Sequence, residues 1–173
     1  MRRLVIAFAA TFLALGTLPA AAQSLEAIEA AEQAVSAAWD AAPLSFRKVL
    51  YVTEAAGFGV YVEKPDAKFR QGEQIIVYAE PVGYGYKASG DGTYDLGFRV
   101  DLRIMTPRGK TVLEQNDFAT LQFTSHFMNR EFLLTLTLDI SEAPAGDYVL
   151  EYTVHDTASD KTAPISLPFT IAE

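Results

Sequence analysis

The chain has 173 residues, of which 22 are acidic and 14 are basic, so its formal net charge is −8. This charge repels nucleic acid and anionic membrane surfaces, and neither is expected as a partner. The chain contains no cysteine, which excludes disulfides, thiol catalysis and thiolate metal sites.

The first 22 residues have the pattern of a secretory signal peptide. Residues 1–3 carry two arginines, residues 4–18 are uncharged and mostly apolar, and residues 19–22 supply the small side chains that a signal peptidase requires. The alternative is a membrane anchor, but about fifteen apolar residues are fewer than the roughly twenty that a spanning helix needs. The sequence therefore predicts an exported protein, periplasmic or secreted, without a stable membrane anchor.

Residues 23–43 predict an amphipathic helix. Ser24 stands at the N-cap position, acidic residues follow in the first turns, and Pro43 ends the segment. Its apolar stripe at helical spacing consists of Leu25, Ile28, Val35 and Trp39. Glu32 interrupts that stripe, which leaves two alternatives: the helix packs on the domain that follows, or it protrudes and docks on another protein.

Residues 44–173 predict one β-domain. Apolar and polar side chains alternate along short segments that glycine, proline and polar turns separate, as is typical of half-buried antiparallel strands. The clearest segments are 74–80, 98–105, 132–140, 148–154 and 165–171, and weaker ones lie at 46–53, 58–62, 111–115 and 118–123. We predict an all-β fold, an antiparallel immunoglobulin-like β-sandwich of about seven to nine strands preceded by one short N-terminal helix.

The immunoglobulin-like part of this prediction depends on a resemblance in the C-terminal thirty residues. Residues 144–148, Pro-Ala-Gly-Asp-Tyr, open a strand, a polar turn follows, and the last strand ends with residues 169–171, Phe-Thr-Ile. This arrangement resembles the closing hairpin of bacterial immunoglobulin-like and fibronectin type III-like sandwiches. The resemblance implies that Tyr148 hydrogen-bonds back to the preceding corner. The chain departs from the antibody version because it lacks both cysteines and carries its tryptophan on the helix, and the resemblance implies no activity.

Aromatic rings and polar groups concentrate around the loop that follows the segment 74–80. Rings beside hydrogen-bonding groups suit a sugar or a peptide, and loops on a rigid scaffold commonly carry binding residues. A second predicted loop contributes one of the two histidines in the chain. The candidate binding residues are Tyr61, Glu80, Tyr84, Tyr86, Lys87 and His126. The alternative is that Tyr84 and Tyr86 only cover the edge of the sandwich.

The one match to a cofactor-binding pattern is residues 83–88, which have the spacing of a dinucleotide-binding fingerprint, but a glycine-rich stretch rather than a helix follows, so we interpret the match as accidental. The sequence contains no P-loop, nucleophile elbow or zinc-protease motif, and we predict no cofactor and no metal site. The second histidine, His155, is expected to be exposed near a strand end.

Three functions follow from these features. The first is a non-catalytic periplasmic or secreted binding or assembly module that holds a protein or polymer partner in the cell envelope. The alternative is a carbohydrate- or small-ligand-binding domain that uses the loop tyrosines. A third, less favoured hypothesis is a hydrolase in which the carboxylates of Glu80 and Asp101 converge.

Overall fold

The computed structural model of this protein describes residues 24–140 and 143–172. The predicted signal peptide, residues 1–22, lies outside the described residues. The chain divides into two units, Met1–Ala34 and Val35–Glu173. The first unit is described only over residues 24–34, which begin a helix, and the second unit carries the sheets.

Strands dominate the described part of the chain. The helix is α1 (Leu25–Ala41), and the strands are β1 (Ser45–Gly57), β2 (Val60–Glu63), β3 (Lys68–Arg70), β4 (Gln74–Val82), β5 (Lys87–Ala88), β6 (Tyr94–Met105), β7 (Thr111–Ser125), β8 (Leu134–Asp139), β9 (Gly146–Asp156) and β10 (Thr162–Ala172). A mostly β fold with one helix is therefore confirmed. The strand count exceeds the prediction because β3 and β5 are too short to show a period in the sequence. No helix within residues 24–140 and 143–172 is long and apolar enough to cross a membrane.

Helix α1 begins where the sequence predicts, but less of its apolar stripe is buried than the pattern indicates. The backbone N–H of Ala27 donates to the hydroxyl of Ser24 at 3.3 Å, so Ser24 caps the N-terminus. Only Trp39 of the four stripe residues is buried, and the other three keep half or more of their surface exposed. Trp39 belongs to the second unit, with the rest of residues 35–41.

The strands form two sheets. The four-stranded sheet has the order β2-β1-β4-β8, and the six-stranded sheet has the order β3-β10-β9-β6, with β5 and β7 also paired to β6. Neighbouring strands are antiparallel except at one edge, where β3 runs parallel to β10. The arrangement is thus mixed rather than purely antiparallel.

Alternate side chains from both sheets form one hydrophobic core. On β4, Ile75, Val77 and Ala79 are fully buried in this core. Further core positions are Phe98, Val100 and Leu102 on β6, Leu134, Leu136 and Leu138 on β8, and Leu150, Tyr152 and Val154 on β9. This period of two fixes which face of each strand points toward solvent.

Tyr148 closes the corner that precedes β9. Its hydroxyl donates a hydrogen bond to the backbone carbonyl of Pro144 at 2.9 Å, which is the contact that the sequence resemblance implies. Its ring stacks on Phe169 of β10 with the centroids 5.4 Å apart. The corner is therefore tied to both strands of the closing hairpin.

Tyr152 generates a prediction about stability. Its side chain is fully buried, and its hydroxyl has no hydrogen-bond partner among the described residues. A buried polar group without a partner costs about 1–3 kcal/mol. We expect Tyr152→Phe to raise the free energy of unfolding by about 1 kcal/mol, measured by urea denaturation.

Tyr51→Phe is the matched control for this variant. The hydroxyl of Tyr51 lies 3.3 Å from the carbonyl oxygen of Leu167 and 3.4 Å from that of Pro168. Its removal should leave the free energy of unfolding unchanged or lower. A Tyr152→Phe protein less stable than the wild type would show that this hydroxyl has a favourable partner.

Candidate functional site

The structure places the six predicted site residues in two different regions. Tyr61 and Glu80 belong to a cluster on the outer face of the four-stranded sheet. Tyr84, Tyr86, Lys87 and His126 lie around the loops that leave β4 and β7. The six residues that the sequence analysis assigned to one site therefore belong to two separate clusters.

The first cluster joins Lys48, Tyr61, Tyr78 and Glu80 through hydrogen bonds and one contact between rings. The hydroxyl of Tyr78 donates to Glu80 at 2.8 Å and accepts the backbone N–H of Gly59 at 2.7 Å. The ring of Tyr61 packs on the ring of Tyr78, with the centroids 4.6 Å apart. Lys48 donates to the hydroxyl of Tyr61 at 2.5 Å.

The tip of the β1–β2 hairpin covers this cluster. Register shifts after Val52 and Ala55 bend β1, and Gly59 takes a positive φ of 72° in the turn, which glycine adopts without strain. As a result Tyr78 is fully buried and Glu80 is only 5% exposed, although both point away from the core. Glu80 thus has a structural partner and little access to a ligand.

Two pKa values in this cluster are shifted by its packing. Burial raises the pKa of Tyr78, and its hydrogen bond to Glu80 acts in the same direction. The hydrogen bond to Tyr61 raises the pKa of Lys48, with a smaller contribution from the negative charge of Glu80. Both shifts extend to higher pH the range over which the tyrosine is neutral and the lysine is charged.

Removal of one hydroxyl tests this cluster. In Tyr78→Phe the buried carboxylate of Glu80 and the amide of Gly59 both lose a partner. We expect the free energy of unfolding to fall by about 1–3 kcal/mol in urea denaturation. Glu80→Gln, whose amide oxygen still accepts the bond from Tyr78, is the milder control. Equal stabilities of Tyr78→Phe and the wild type would contradict this role.

Tyr84 is a core residue at the end of the domain. It is fully buried, and its ring centroid lies within 6.3 Å of the ring centroids of Trp39, Tyr86, Phe98 and Phe132. Its backbone carbonyl accepts the indole N–H of Trp39 at 2.8 Å. Burial raises the pKa of its hydroxyl. Tyr84 therefore exposes no ring face on which a ligand could stack.

Tyr84 and Tyr86 instead hold the loop that follows β7. Both hydroxyls donate to the backbone carbonyl of Asn129, each at 2.6 Å. Tyr86 is half-buried. Arg130 adds a bond to the hydroxyl of Ser36 at 2.6 Å. The loop is consequently fixed by three side-chain hydrogen bonds from buried or half-buried groups.

This fixed loop presents apolar side chains to solvent. Phe127 is 76% exposed, Met128 is 46% exposed, and Phe123 at the end of β7 is 44% exposed. His126 lies between them and is exposed. We call Phe123, His126, Phe127 and Met128 the loop patch. The sequence analysis identified only His126. The signal for Phe127 and Met128 was an apolar pair in a segment predicted to be a loop, whereas Phe123 ends a predicted strand.

A polar cavity lies beside the loop patch. It has a volume of about 280 Å³, and its lining residues are Lys87, Asp95, Leu96, Gln122, Phe123, Thr124, Thr157 and Ala158. Hydrogen bonds from Thr124 and Ser89 lower the pKa of Asp95, which extends to lower pH the range over which this carboxylate is charged. Lys87 is exposed and is the one predicted site residue that lines the cavity.

A buried carboxylate and a lysine fix the loop that carries Tyr84. Asp156 is 5% exposed and accepts the amide of Gly85 at 2.6 Å and the hydroxyl of Ser159 at 2.5 Å. The ammonium group of Lys161 donates to the carbonyls of Gly83 at 2.7 Å and Asp40 at 3.0 Å. These contacts connect the end of α1, the loop after β4 and the turn after β9.

A separate polar network lies on the outer face of the six-stranded sheet. Asp101 contacts His155 at 2.8 Å and Arg99 at 2.6 Å, and it accepts the amide of Asp117 at 2.9 Å. His155 is half-buried, whereas the sequence analysis expected an exposed side chain. Asp101 and Glu80 lie on different sheets and have different partners, so the structure does not bring these two carboxylates together.

The Asp101 network predicts a dependence of stability on pH. Partial burial alone raises the pKa of Asp101, but the amide of Asp117 and the contacts with His155 and Arg99 outweigh it and lower the pKa. The lowered pKa means that the ionised carboxyl stabilises the fold at neutral pH and that this contribution is lost as the pH falls through its folded-state pKa.

We expect the free energy of unfolding of the wild type to fall more steeply below about pH 4 than that of Asp101→Asn. Urea denaturation of both proteins between neutral pH and the acid range measures the two curves. Parallel curves throughout the acid range would exclude this role for Asp101.

The chain matches no protein-family model, and a search of curated proteins finds no significant match.

Proposed function

We propose that the protein is a non-catalytic periplasmic or secreted module that holds a protein partner through the loop patch. The exposure of Phe127 and Met128 on an anchored loop is the observation that carries this proposal. Apolar side chains exposed together on a monomer surface are characteristic of protein contacts. The amino-terminal pattern of residues 1–22 supports export, and the proposed partner is in the cell envelope.

The proposal includes an immunoglobulin-like sandwich as the scaffold. Two sheets that share one core cluster support it, as does the bond of Tyr148 to Pro144 before the closing hairpin. Such sandwiches carry unrelated functions on their loops. In this proposal the scaffold positions the loop patch, and the exposed apolar side chains of the patch contact the protein partner.

Anchoring of the loop favours binding of a partner. A loop that is ordered only on binding costs conformational entropy for each residue that becomes fixed. Here Tyr84 and Tyr86 hold the carbonyl of Asn129 before any partner arrives. The large side chains of Phe127 and Met128 then bury apolar surface, which is the main favourable contribution in most protein association.

The test compares two double variants in a pull-down from cell-envelope extract. Phe127→Ser with Met128→Ser should abolish recovery of a stoichiometric protein, because the apolar contact is lost. Val60→Ser with Val62→Ser is the matched control, since these valines are 59% and 54% exposed on β2. Thermal unfolding should show that both variants are as stable as the wild type to within about 0.5 kcal/mol, because all four side chains are exposed.

Equal recovery with both double variants would contradict the proposal.

The second candidate is a carbohydrate- or small-ligand-binding domain, and the cavity beside Lys87 is the observation that favours it. The exposed ring of Phe123 lies there among carboxylate, amide and hydroxyl groups, a combination suited to a sugar. Retention of the wild type on a glycan array, without recovery of a protein, would favour that candidate.

A further inference from the structure

Strand β7 forms a long free edge of the six-stranded sheet. It spans 15 residues and, in the part of the chain that the structure describes, pairs only with β6. The edge strands β2, β3 and β8 have four, three and six residues. An edge strand presents unpaired backbone N–H and C=O groups that can pair with another chain. β7 therefore offers the longest such edge.

A bulge limits the part of this edge that another strand can use. Between Val100 and Leu102 the register shifts, and residues 116–118 of β7 stand opposite Asp101. Asp117 has a φ of 54° there, its amide donates to Asp101 and its carboxylate pairs with Arg99. Bulges of this kind interrupt pairing along an edge. Regular pairing with β6 resumes over residues 119–125, without a further register shift.

The two faces of residues 119–125 specify the side chains of an added strand. Ala119 and Leu121 are half-buried and pack against the core cluster, and Phe123 follows at the next position of the same parity. The positions of the opposite parity are exposed and polar: Thr120, Gln122 and Thr124. Cross-strand neighbours on one face contact each other directly. An added strand would thus place apolar side chains beside Leu121 and Phe123 and polar ones beside Gln122.

Charge selects the kind of polar side chain. Residues 119–125 carry no charge, and the two acids earlier on β7 already have basic neighbours, since Asp117 pairs with Arg99 and Glu114 lies opposite Arg103. The whole chain has a formal net charge of −8. A second copy of the chain would bring the same negative charge to the interface, whereas a basic segment would be attracted. The net negative charge of the chain therefore favours a basic partner over self-association.

We propose that residues 119–125 of β7 bind an extended basic segment of the protein partner, in which apolar and basic side chains alternate, as an additional strand of the six-stranded sheet. This inference rests on the proposed function, because the loop patch begins at Phe123 and continues the same edge beyond Ser125. Backbone hydrogen bonds along β7 supply affinity, and the alternating side chains supply specificity.

The test uses a synthetic peptide of about nine residues in which valine and lysine alternate, long enough to cover the available edge. A peptide of the same composition, with its lysines grouped at one end, is the control for charge alone. Hydrogen exchange of single amides, followed by NMR on the full chain, measures the result. In the free protein, every second amide of residues 119–125 should exchange rapidly because it points away from β6. The alternating peptide should protect those amides, and the control peptide should not.

Substitutions at Gln122 provide a second measurement that leaves the fold intact, since this side chain is exposed. Gln122→Lys should weaken binding of the alternating peptide by about twofold to fivefold, and Gln122→Glu should strengthen it by a similar factor. Amides of residues 119–125 that stay unprotected, or that both peptides protect equally, would overturn the proposal. Concentration-dependent protection without any peptide would overturn it as well, because a second copy would then occupy the edge.

The two proposals fail separately. Loss of the envelope partner in the Phe127→Ser, Met128→Ser protein, together with absence of strand addition, would leave the loop patch as a binding site and remove only the β7 edge.

Discussion

The strands that build the core place alternate side chains in a single cluster that no disulfide supports. This constraint sets which side chains of those strands point away from the core. Val77 and Ala79 point into the core, so Tyr78 and Glu80 between and beyond them must point outward. The tip of the β1–β2 hairpin covers Tyr78 and Glu80 on the outer face of the sheet. It gives the outward tyrosine and carboxylate hydrogen-bond partners where solvent is excluded.

The same core reaches the surface at the end of the domain where the loop patch lies. Tyr84 is packed among aromatic rings, yet its hydroxyl extends to the carbonyl of Asn129. One side chain therefore fills the core and fixes the loop that exposes Phe127 and Met128. Asp156 and Lys161 fix the other side of the Tyr84 loop through backbone groups. Packing inside the domain and display of the loop are coupled through these few contacts.

Acidic residues in this protein serve the structure as well as its surface charge. Asp156 and Glu80 are buried and accept hydrogen bonds. The carboxylate of Asp101 contacts Arg99 and His155 and accepts the backbone amide of Asp117 at the bulge of β7. That bulge shortens the free edge to a run that adjoins the loop patch. The contact of Asp117 with the polar network on the outer face and the shortening of the free edge are thus two consequences of one irregularity in β7.

The sequence by itself determined the class of fold, the N-cap at Ser24, and the strands in which apolar and polar residues alternate, because these features depend on neighbours within a few positions along the chain. It also indicated, by resemblance, the corner contact of Tyr148. Tertiary structure alone decided that Tyr84 is buried, that Glu80 is covered by a hairpin tip, that His155 meets Asp101, and that Phe127 and Met128 are exposed on an anchored loop. Each of these depends on contacts between residues that are distant in sequence, and the period of a single strand carries no information about which distant loop or strand will cover it.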